Sequence, residues 1–258
     1  MAIPFALPLA FPVAISVVIP VRGDERACSR LLAELATFRG PQFELLVVVA
    51  DDGGPDLDPE FCVDDRSAAD KWLACSPGRA KQLACGASEA QHSCLWFLHA
   101  DTLNVSDAAR WLIKRCSAPM QAPGWGRFEV GFDDRRWLYR VVPWCMNWRS
   151  RLTAIATGDQ GIFVDRELLE NVGGWPQQAL MEDVELSSRL RRVARPDLPP
   201  RGSVRLITSA RRWRANGVWR TIVLMWSLRL RYALGEDPVS LHKSYYEDHS
   251  VSAPVAER

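Results

Sequence analysis

Along the first hundred residues, short β-branched apolar runs alternate with segments whose apolar positions recur at helical spacing. AISVVIPV (14–21), FELLVVVA (43–50) and CLWFLHA (94–100) read as strands, while ERACSRLLAELATF (25–38) and SPGRAKQLACGASEA (76–90) read as helices. This alternation predicts βαβ units and a mainly parallel sheet. Later the rhythm changes: GRFEVGF (126–132) and QGIFVD (160–165) read as strands of a mixed region, and MEDVELSSRLRRV (181–193) and VWRTIVLMWSLRLRYAL (218–234) as helices. Pro4, Pro8 and Pro12 punctuate residues 1–13, an expected extension, and the polar end SVSAPVAER makes 238–258 an expected tail. Between them, 14–237 reads as one domain, divided near residue 105.

Composition changes this picture little. The chain has 258 residues, 48% hydrophobic and 24% charged, with a formal net charge of +1, an ordinary globular balance that excludes a general nucleic-acid binder. Its 7 cysteines are scattered without a C-x-x-C pair, so neither a disulfide framework nor a zinc site is signalled, and reduced thiols in a cytoplasmic compartment are expected. The uncharged opening lacks the basic start and clean cleavage site of a signal peptide.

Candidate chemistry collects where the strands end, and in open parallel sheets ligands bind outside the carboxyl ends of strands. The first predicted strand runs into Arg22, Gly23, Asp24 and Glu25, the second into Asp51 and Asp52, and WFLHADT into His99 and Asp101. A single acid there is an ordinary turn former or cap, but three such ends on one sheet edge point to a site. In SPGRAKQLACGA, Ser76 is placed to cap a helix with Pro77 at its first position. Arg79 and Lys81 then occupy the end where the helix dipole disfavours cations, a conflict that an anion such as phosphate resolves. Ala80, Leu83, Ala84 and Ala87 form a small-residue stripe for packing on the sheet.

Taken in order, SVVIPVRGDE, VVVADDGGPD, GRAKQLACGA, WFLHADT, GDQGIFVDRELLENVGGW and MEDVEL resemble the motifs of family-2 glycosyltransferases over roughly Ala14 to Asp237. LHADT, ATGDQGIFV, LMEDVELS and TSARRW with GVWRTI resemble more narrowly the bacterial radical-SAM/selenodomain-associated transferase 2 subgroup. The resemblance implies an α/β fold of GT-A type: a Rossmann-like, mainly parallel central sheet with flanking helices and a C-terminal helical region. It further implies a nucleotide-diphosphosugar donor, a divalent metal (Mn²⁺ or Mg²⁺), and inversion at the anomeric carbon. Residues 14–105 become the nucleotide-binding half and 106–237 the acceptor half.

Position by position, the resemblance implies that Asp51 receives the donor's base beside Pro20 and Arg22, that Arg79 faces the diphosphate, and that Asp101 is the last acid of the family's D-x-D. His99 stands where many relatives carry the first acid; an imidazole still suits Mn²⁺ or another borderline metal, so His99 and Asp101 are the expected metal ligands. Asp183 matches the general base. Glu182, Asp159, Gln160 and Trp175 are expected at the donor sugar or acceptor, and Arg212, between Arg211 and Trp213, at the donor.

Periodicity bears on the base independently. Asp183 shares a helix face with Leu186, Leu190 and Val193, whereas Glu182 falls with Glu185 and Arg189 on the polar side, so Asp183 is expected to point inward. In the last long helix Arg220, Ser227 and Arg231 align on one face and Arg229 stands opposite. Arginines interrupt it too often for comfortable spanning of a bilayer, which leaves core packing, a homodimer contact, or a peripheral membrane contact through Trp219 to Leu234 at the inner membrane face. Trp125, Trp137, Trp144 and Trp148 offer aromatic faces either to an acceptor, which could be lipid-linked, or to the core. Two rivals stand beside the transferase: a non-catalytic nucleotide-sugar binding protein, and a sugar nucleotidyltransferase, for which PVRGDERAC is too poor in glycine.

Overall fold

The computed structural model describes residues 14–22, 25–51, 66–118 and 123–250, so Gly23, Asp24 and Asp52 lie outside the described residues, as does the side chain of Arg212. Strands β1 (Ile15–Val21), β2 (Phe43–Ala50), β3 (Lys71–Cys75) and β4 (Cys94–Phe97) are parallel neighbours in the order β3-β2-β1-β4. The sheet continues through β7 (Phe163–Asp165), antiparallel to β4, to β5 (Trp125–Gly126). A second sheet pairs β6 (Glu129–Phe132) in parallel with β8 (Arg205–Thr208).

The apolar runs of β1 and β2 are continuous because both faces are covered. Val17, Ile19, Leu45 and Val47 pack with Leu31 and Leu35 of α1 (Glu25–Leu35) and Ala108 and Leu112 of α3 (Ser106–Ser117). Val18, Leu46 and Val48 face the other way. They meet Leu83 and Ala87 of α2 (Arg79–Glu89), in the cluster that also holds Leu168 of α5 (Arg166–Asn171) and Leu186 and Leu190 of α6 (Glu182–Val193). The small-residue stripe of α2 lies on the sheet as expected: a Cβ at Gly86 would press into the side chains of Val18 and Val48.

Three further helices build the other side of the molecule. Tyr139 and Val142 of α4 (Leu138–Thr153) share a cluster with Ala210, with Trp213 of α7 (Arg211–Asn216), and with Val218 and Ile222 of α8 (Val218–Ala233). The segment expected as a tail contains α9 (Pro238–Ser250), whose Leu241 and Tyr245 are buried against Leu228 and Met181. That corrects the boundary at 238, because the apolar face of α9 completes a core that α8 leaves open. β3, α3 and α4 have no counterpart in the hydrophobic reading; β3 is a half-exposed edge without a β-branched residue and owes its form to backbone pairing with β2.

The start of α2 also differs from expectation. Gly78 is its N-cap, without a side-chain cap, and the helix begins at Arg79, so Ser76 and Pro77 precede it. Arg79 is thereby the first helical residue.

Candidate active site

The parallel strands end together. Pro20 lies half-buried near the end of β1, Arg22 is exposed just beyond it, and Asp51 is exposed after β2, where its N–H donates to the Cys75 carbonyl at 2.7 Å. Gln82 of α2, fully enclosed, donates to the carbonyls of Val21 and Val48 at 2.9 and 2.7 Å and ties the ends of β1 and β2 to the helix that presents Arg79. Sequence reading passed over Gln82; a lone amide in an otherwise small and apolar helix face was its signal.

Across from this edge, the turn Gly158–Gln160 is the centre of the arrangement. Its Gly158 N–H donates to Asp183 Oδ2 at 2.8 Å, and the Val184 N–H donates to Asp183 Oδ1 at 2.7 Å, so both carboxylate oxygens are oriented by backbone. A Cβ at Gly158 would collide with the Arg79 guanidinium and with His99 Nε2, so only glycine lets these groups come this close. His99 Nδ1 faces Asp159 Oδ1 at 3.7 Å, and Arg79 faces Glu182 Oε1 at 3.4 Å. Arg79, His99, Asp159, Glu182 and Asp183 thus gather around one turn, with Asp101 two residues beyond His99 and half-buried.

The residue before the acid pair is strained. Met181 has φ 64°, ψ 22°, a left-handed conformation in a non-glycine residue, and it caps α6. Leu228, Leu241 and Tyr245 bury its side chain and hold the bend that aims Glu182 and Asp183 at the Gly158 turn. Ser187 adds a second tie: its Oγ donates to the Asp183 carbonyl at 2.7 Å and accepts from the Ala156 N–H at 3.1 Å.

The expected division of the acid pair is reversed in part. Glu182 is 5% exposed, whereas Asp183 is only half-buried and Val193 is 63% exposed, because the left-handed Met181 starts the helix with Glu182 turned under Arg79. Burial raises the Glu182 carboxyl above its usual range, partly opposed by Arg79. For Arg79, burial works against the charge, but Glu182, Asp183 and Asp159 together raise its pKa. The two shifts pull in opposite senses across one pair; desolvation of the more enclosed Glu182 exceeds what the pair returns to it.

Burial separates the other predicted residues. Gln160 is fully buried, accepts from the Thr157 N–H at 3.1 Å and donates to Asn147 Oδ1 at 3.2 Å, so it shapes the turn. Trp175 is buried against Phe97, ring centroids 4.3 Å apart, and lines a narrow crevice with Arg79, His99 and Gly158. Of the tryptophan cluster, Trp125 is core and donates to the Ala194 carbonyl at 2.9 Å, while Trp137, Trp144 and Trp148 are exposed on or next to α4. Trp144 and Trp148 border a groove of about 440 Å³ against β6 and β8 that contains none of Arg79, His99, Asp159 or Asp183.

Two arginines on the C-terminal side complete the electrostatics. Arg149 of α4 and Arg229 of α8 both feel the charge of Asp183. Burial, then the neighbouring Arg229, lowers Arg149 to about 10, and burial lowers Arg229. The isolation of Arg229 opposite Arg220, Ser227 and Arg231 is legible in the sequence; the position of Arg149 is not.

A divalent metal would have few protein ligands here, since no group of three or more His, Cys, Asp or Glu side chains forms a metal cluster among the described residues. One imidazole and one carboxylate nevertheless fit an ion that shares its coordination with substrate phosphates, which is how Mg²⁺-type sites with one or two carboxylates are completed.

No protein-family model matches the chain, and no curated protein matches it. Solved structures do. TarS from S. aureus, residues 1–349, superposes with a TM-score of 0.57 at 16% identity, over 76% of this chain and 60% of that one. The mannosyltransferase PcManGT from Pyrobaculum calidifontis, in complex with GDP-Man and Mn²⁺, gives 0.57 at 17% identity over 91% and 69%. Glucosyl-3-phosphoglycerate synthase from Mycobacterium tuberculosis, in complex with Mn²⁺, UDP and phosphoglyceric acid, gives 0.51 at 15% identity over 72% and 66%. The fold is therefore that of GT-A glycosyltransferases, and this chain spans about 60% of the TarS 1–349 chain and 36% of a longer TarS chain.

Proposed function

We propose that this chain is an inverting, metal-dependent glycosyltransferase of the family-2 type, within the radical-SAM/selenodomain-associated transferase 2 subgroup, moving a sugar from a nucleotide-diphosphosugar to an acceptor hydroxyl. The observation that carries this reading is the gathering of Asp183, the Glu182–Arg79 pair and His99 around the Gly158 turn, opposite the carboxyl ends of the parallel strands. UDP, UDP-GlcNAc and GDP-Man accompany neighbours of the same fold, which supports a nucleotide-sugar donor without choosing its base.

Pro20, Arg22 and Asp51 receive the nucleoside at the strand ends, and Arg79, first residue of α2, meets the diphosphate together with the positive end of the helix dipole. Asp101 and His99 would hold the divalent metal, which when bound supplies positive charge to the departing phosphate. Asp183 removes the acceptor's hydroxyl proton as the new C–O bond forms and the nucleoside diphosphate leaves; the Gly158 and Val184 N–H groups fix the direction of its carboxylate. Glu182 sets the position of Arg79. Arg212 is assigned to the donor by its motif alone. In this reading residues 14–105 form the donor half and the later elements, α9 included, the acceptor half.

The acceptor half carries two apolar stripes. Trp137, Val141, Trp144, Trp148 and Leu152 on α4 and its N-cap, and Trp219, Val223, Trp226, Leu230 and Leu234 on α8 and its C-cap, recur at helical spacing and are all exposed. Exposed Arg135, Arg136, Arg140, Arg201 and Arg220 accompany them, with Arg201 stacked over Trp148. No helix among the described residues is long and apolar enough to cross a membrane. Tryptophan with arginine suits the interface of an anionic bilayer, so we place the protein peripherally at the inner membrane face.

Donor turnover tests the activity. Wild type with Mn²⁺ should turn over at least one UDP- or GDP-sugar and Asp183→Asn should not, while both bind donor alike; binding in wild type without any turnover would leave a nucleotide-sugar binding protein instead. Flotation with anionic liposomes tests the location, and recovery of all protein in the unbound fraction at low salt would reject it.

A further inference from the structure

We propose that the groove between α4 and the β6–β8 sheet is a second binding site, which takes an acidic saccharide: a short run of sugar rings bearing carboxylate or phosphate groups. It lies outside the transferase machinery and needs neither nucleotide nor metal.

The groove holds about 440 Å³, within the ~300–1,000 Å³ usual for ligand sites. One face of α4 forms its wall, where Arg140, Trp144, Trp148 and Arg151 follow one another at helical spacing. At ~1.5 Å per residue this stripe runs about 16 Å, with a cation at each end and two indoles between. The two indole rings stand edge to face, centroids 6.4 Å apart and planes at 83°, and Arg201 from the opposite wall lies over Trp148 at 4.9 Å. Trp144 is 55% exposed and Trp148 38%, so both keep ring surface open to a ligand.

The floor is polar and flat. Glu129 is buried there, and its carboxylate accepts from Arg151 at 3.0 Å and from the Gly202 N–H at 3.2 Å. A Cβ at Gly131 would press into Arg205 Cδ and Ile207 Cδ1, so glycine lets both side chains lie along the strand. Such a floor selects the occupant. An acyl chain laid on it would cover Glu129, Arg151 and Arg205 with hydrocarbon and leave their remaining hydrogen-bonding capacity unmet. A sugar ring matches both surfaces, with an apolar C–H face for the indoles and hydroxyls for the floor.

Charge makes the saccharide an acidic one. Both acids of the lining are engaged, Glu129 with Arg151 and Asp134 with Arg136 at 2.7 Å, whereas Arg140 and Arg201 have no carboxylate partner among the described residues. Anionic groups on the ligand complete these two. Asn147 also lines the groove, and its Oδ1 accepts from Gln160 of the Gly158 turn at 3.2 Å, so the groove backs onto that turn. On the transferase reading, a glycan held here raises the local concentration of glycan-bearing acceptors beside the cleft.

The test uses the full chain without metal or nucleotide. Galacturonate trimer, maltotriose 6-phosphate and neutral maltotriose are titrated in by calorimetry. Wild type should bind at least one acidic trisaccharide saturably and maltotriose about tenfold more weakly or not at all. Arg140→Gln, Arg201→Gln, Trp144→Ala and Trp148→Ala should each weaken acidic-saccharide binding about fivefold or more at unchanged melting temperature, since all four side chains are exposed. Arg110→Gln, an exposed arginine of α3 outside the groove, should bind as wild type. The proposal is overturned by a wild type that binds neither acidic trisaccharide, by equal affinity for maltotriose, by groove variants that bind normally, or by losses that follow a fall in melting temperature. If no saccharide binds but Arg140→Gln and Arg201→Gln abolish recovery with anionic liposomes, the groove takes a lipid headgroup and the saccharide assignment is wrong. If acidic saccharide binds through these residues while UDP and GDP with Mn²⁺ do not bind, the transferase reading fails and the groove stands alone.

Discussion

The half of the molecule built on β1 to β4 and the half built on α4 and α8 treat charge and apolar surface in opposite ways. In the first, β1 and β2 are covered on both faces, the cation of the cleft has a carboxylate beside it, and a buried glutamine ties helix to sheet. In the second, Arg149 and Arg229 are half-buried without an ion pair among the described residues, ten large apolar residues are exposed on two helices, and a methionine is held left-handed. The first half is consistent with selection for stability. Features of the second cost stability, and ligand or surface binding gives them a reason.

The sharpest way to break this contrast is at the cleft. Asp183→Asn keeps volume and helix position but cannot take a proton, and transfer should fall by about two to four orders of magnitude at unchanged donor affinity, measured in a turnover assay beside a binding titration. Loss of donor affinity and melting temperature together would make Asp183 structural.

Next in size is the covered sheet, where Leu46→Ala should cost about 2–5 kcal/mol by denaturant unfolding, because a leucine at 0% exposure between β-strand neighbours leaves a cavity that two packed faces cannot close. Gly86→Ala should cost about 1–3 kcal/mol by overpacking against Val18 and Val48. Were either to melt like wild type, the donor half would be softer than its burial indicates.

Glu182 gives a smaller and signed effect. Its carboxyl is raised by burial despite Arg79, and a raised folded value means that its favourable contribution is complete below the unfolded value of 4.5 and is lost as pH rises through the folded one. Melting curves from pH 5 to 8 should therefore move in favour of Glu182→Gln relative to wild type as pH rises, with transfer retained within about tenfold. A wild type that gains on the variant over that range would show the ion pair to be net stabilising.

The least effect on folding is expected for Trp144→Ser with Trp226→Ser, which should leave stability within about 0.5 kcal/mol for each exposed site while abolishing recovery with anionic liposomes. A large loss of stability would mean that the stripes are covered in the protein as it exists, by a second copy of the chain.

How much of this could be read along the chain follows the range of the forces involved. The strands β1, β2 and β4, the helices α2, α6 and α8, and the placing of Asp51, Arg79, His99 and Asp101 at one sheet edge follow from local periodicity and from the rule that parallel strands open their ligand site at their carboxyl ends. Gln160 and Trp175 were legible as residues of the right turns but not as buried ones, since burial depends on Asn147 and Phe97 arriving from distant segments. The edge strand β3 carries too little apolar pattern to announce itself, and α9 hides its few core positions in a polar sequence.

By itself, then, the sequence determined a doubly covered parallel sheet and the chemical identity of its rim, because those depend on residue type and on spacing within one element. Only the tertiary structure decided which acid of the Glu182–Asp183 pair lies under Arg79, for that turns on the left-handed Met181, which is held by α8 and α9 rather than by its neighbours in sequence. Only the tertiary structure put Arg149 and Arg229, eighty residues apart, within the influence of the same Asp183 charge. Charge acts through space, and no periodicity within α4 or α8 records which other helix its arginine will meet.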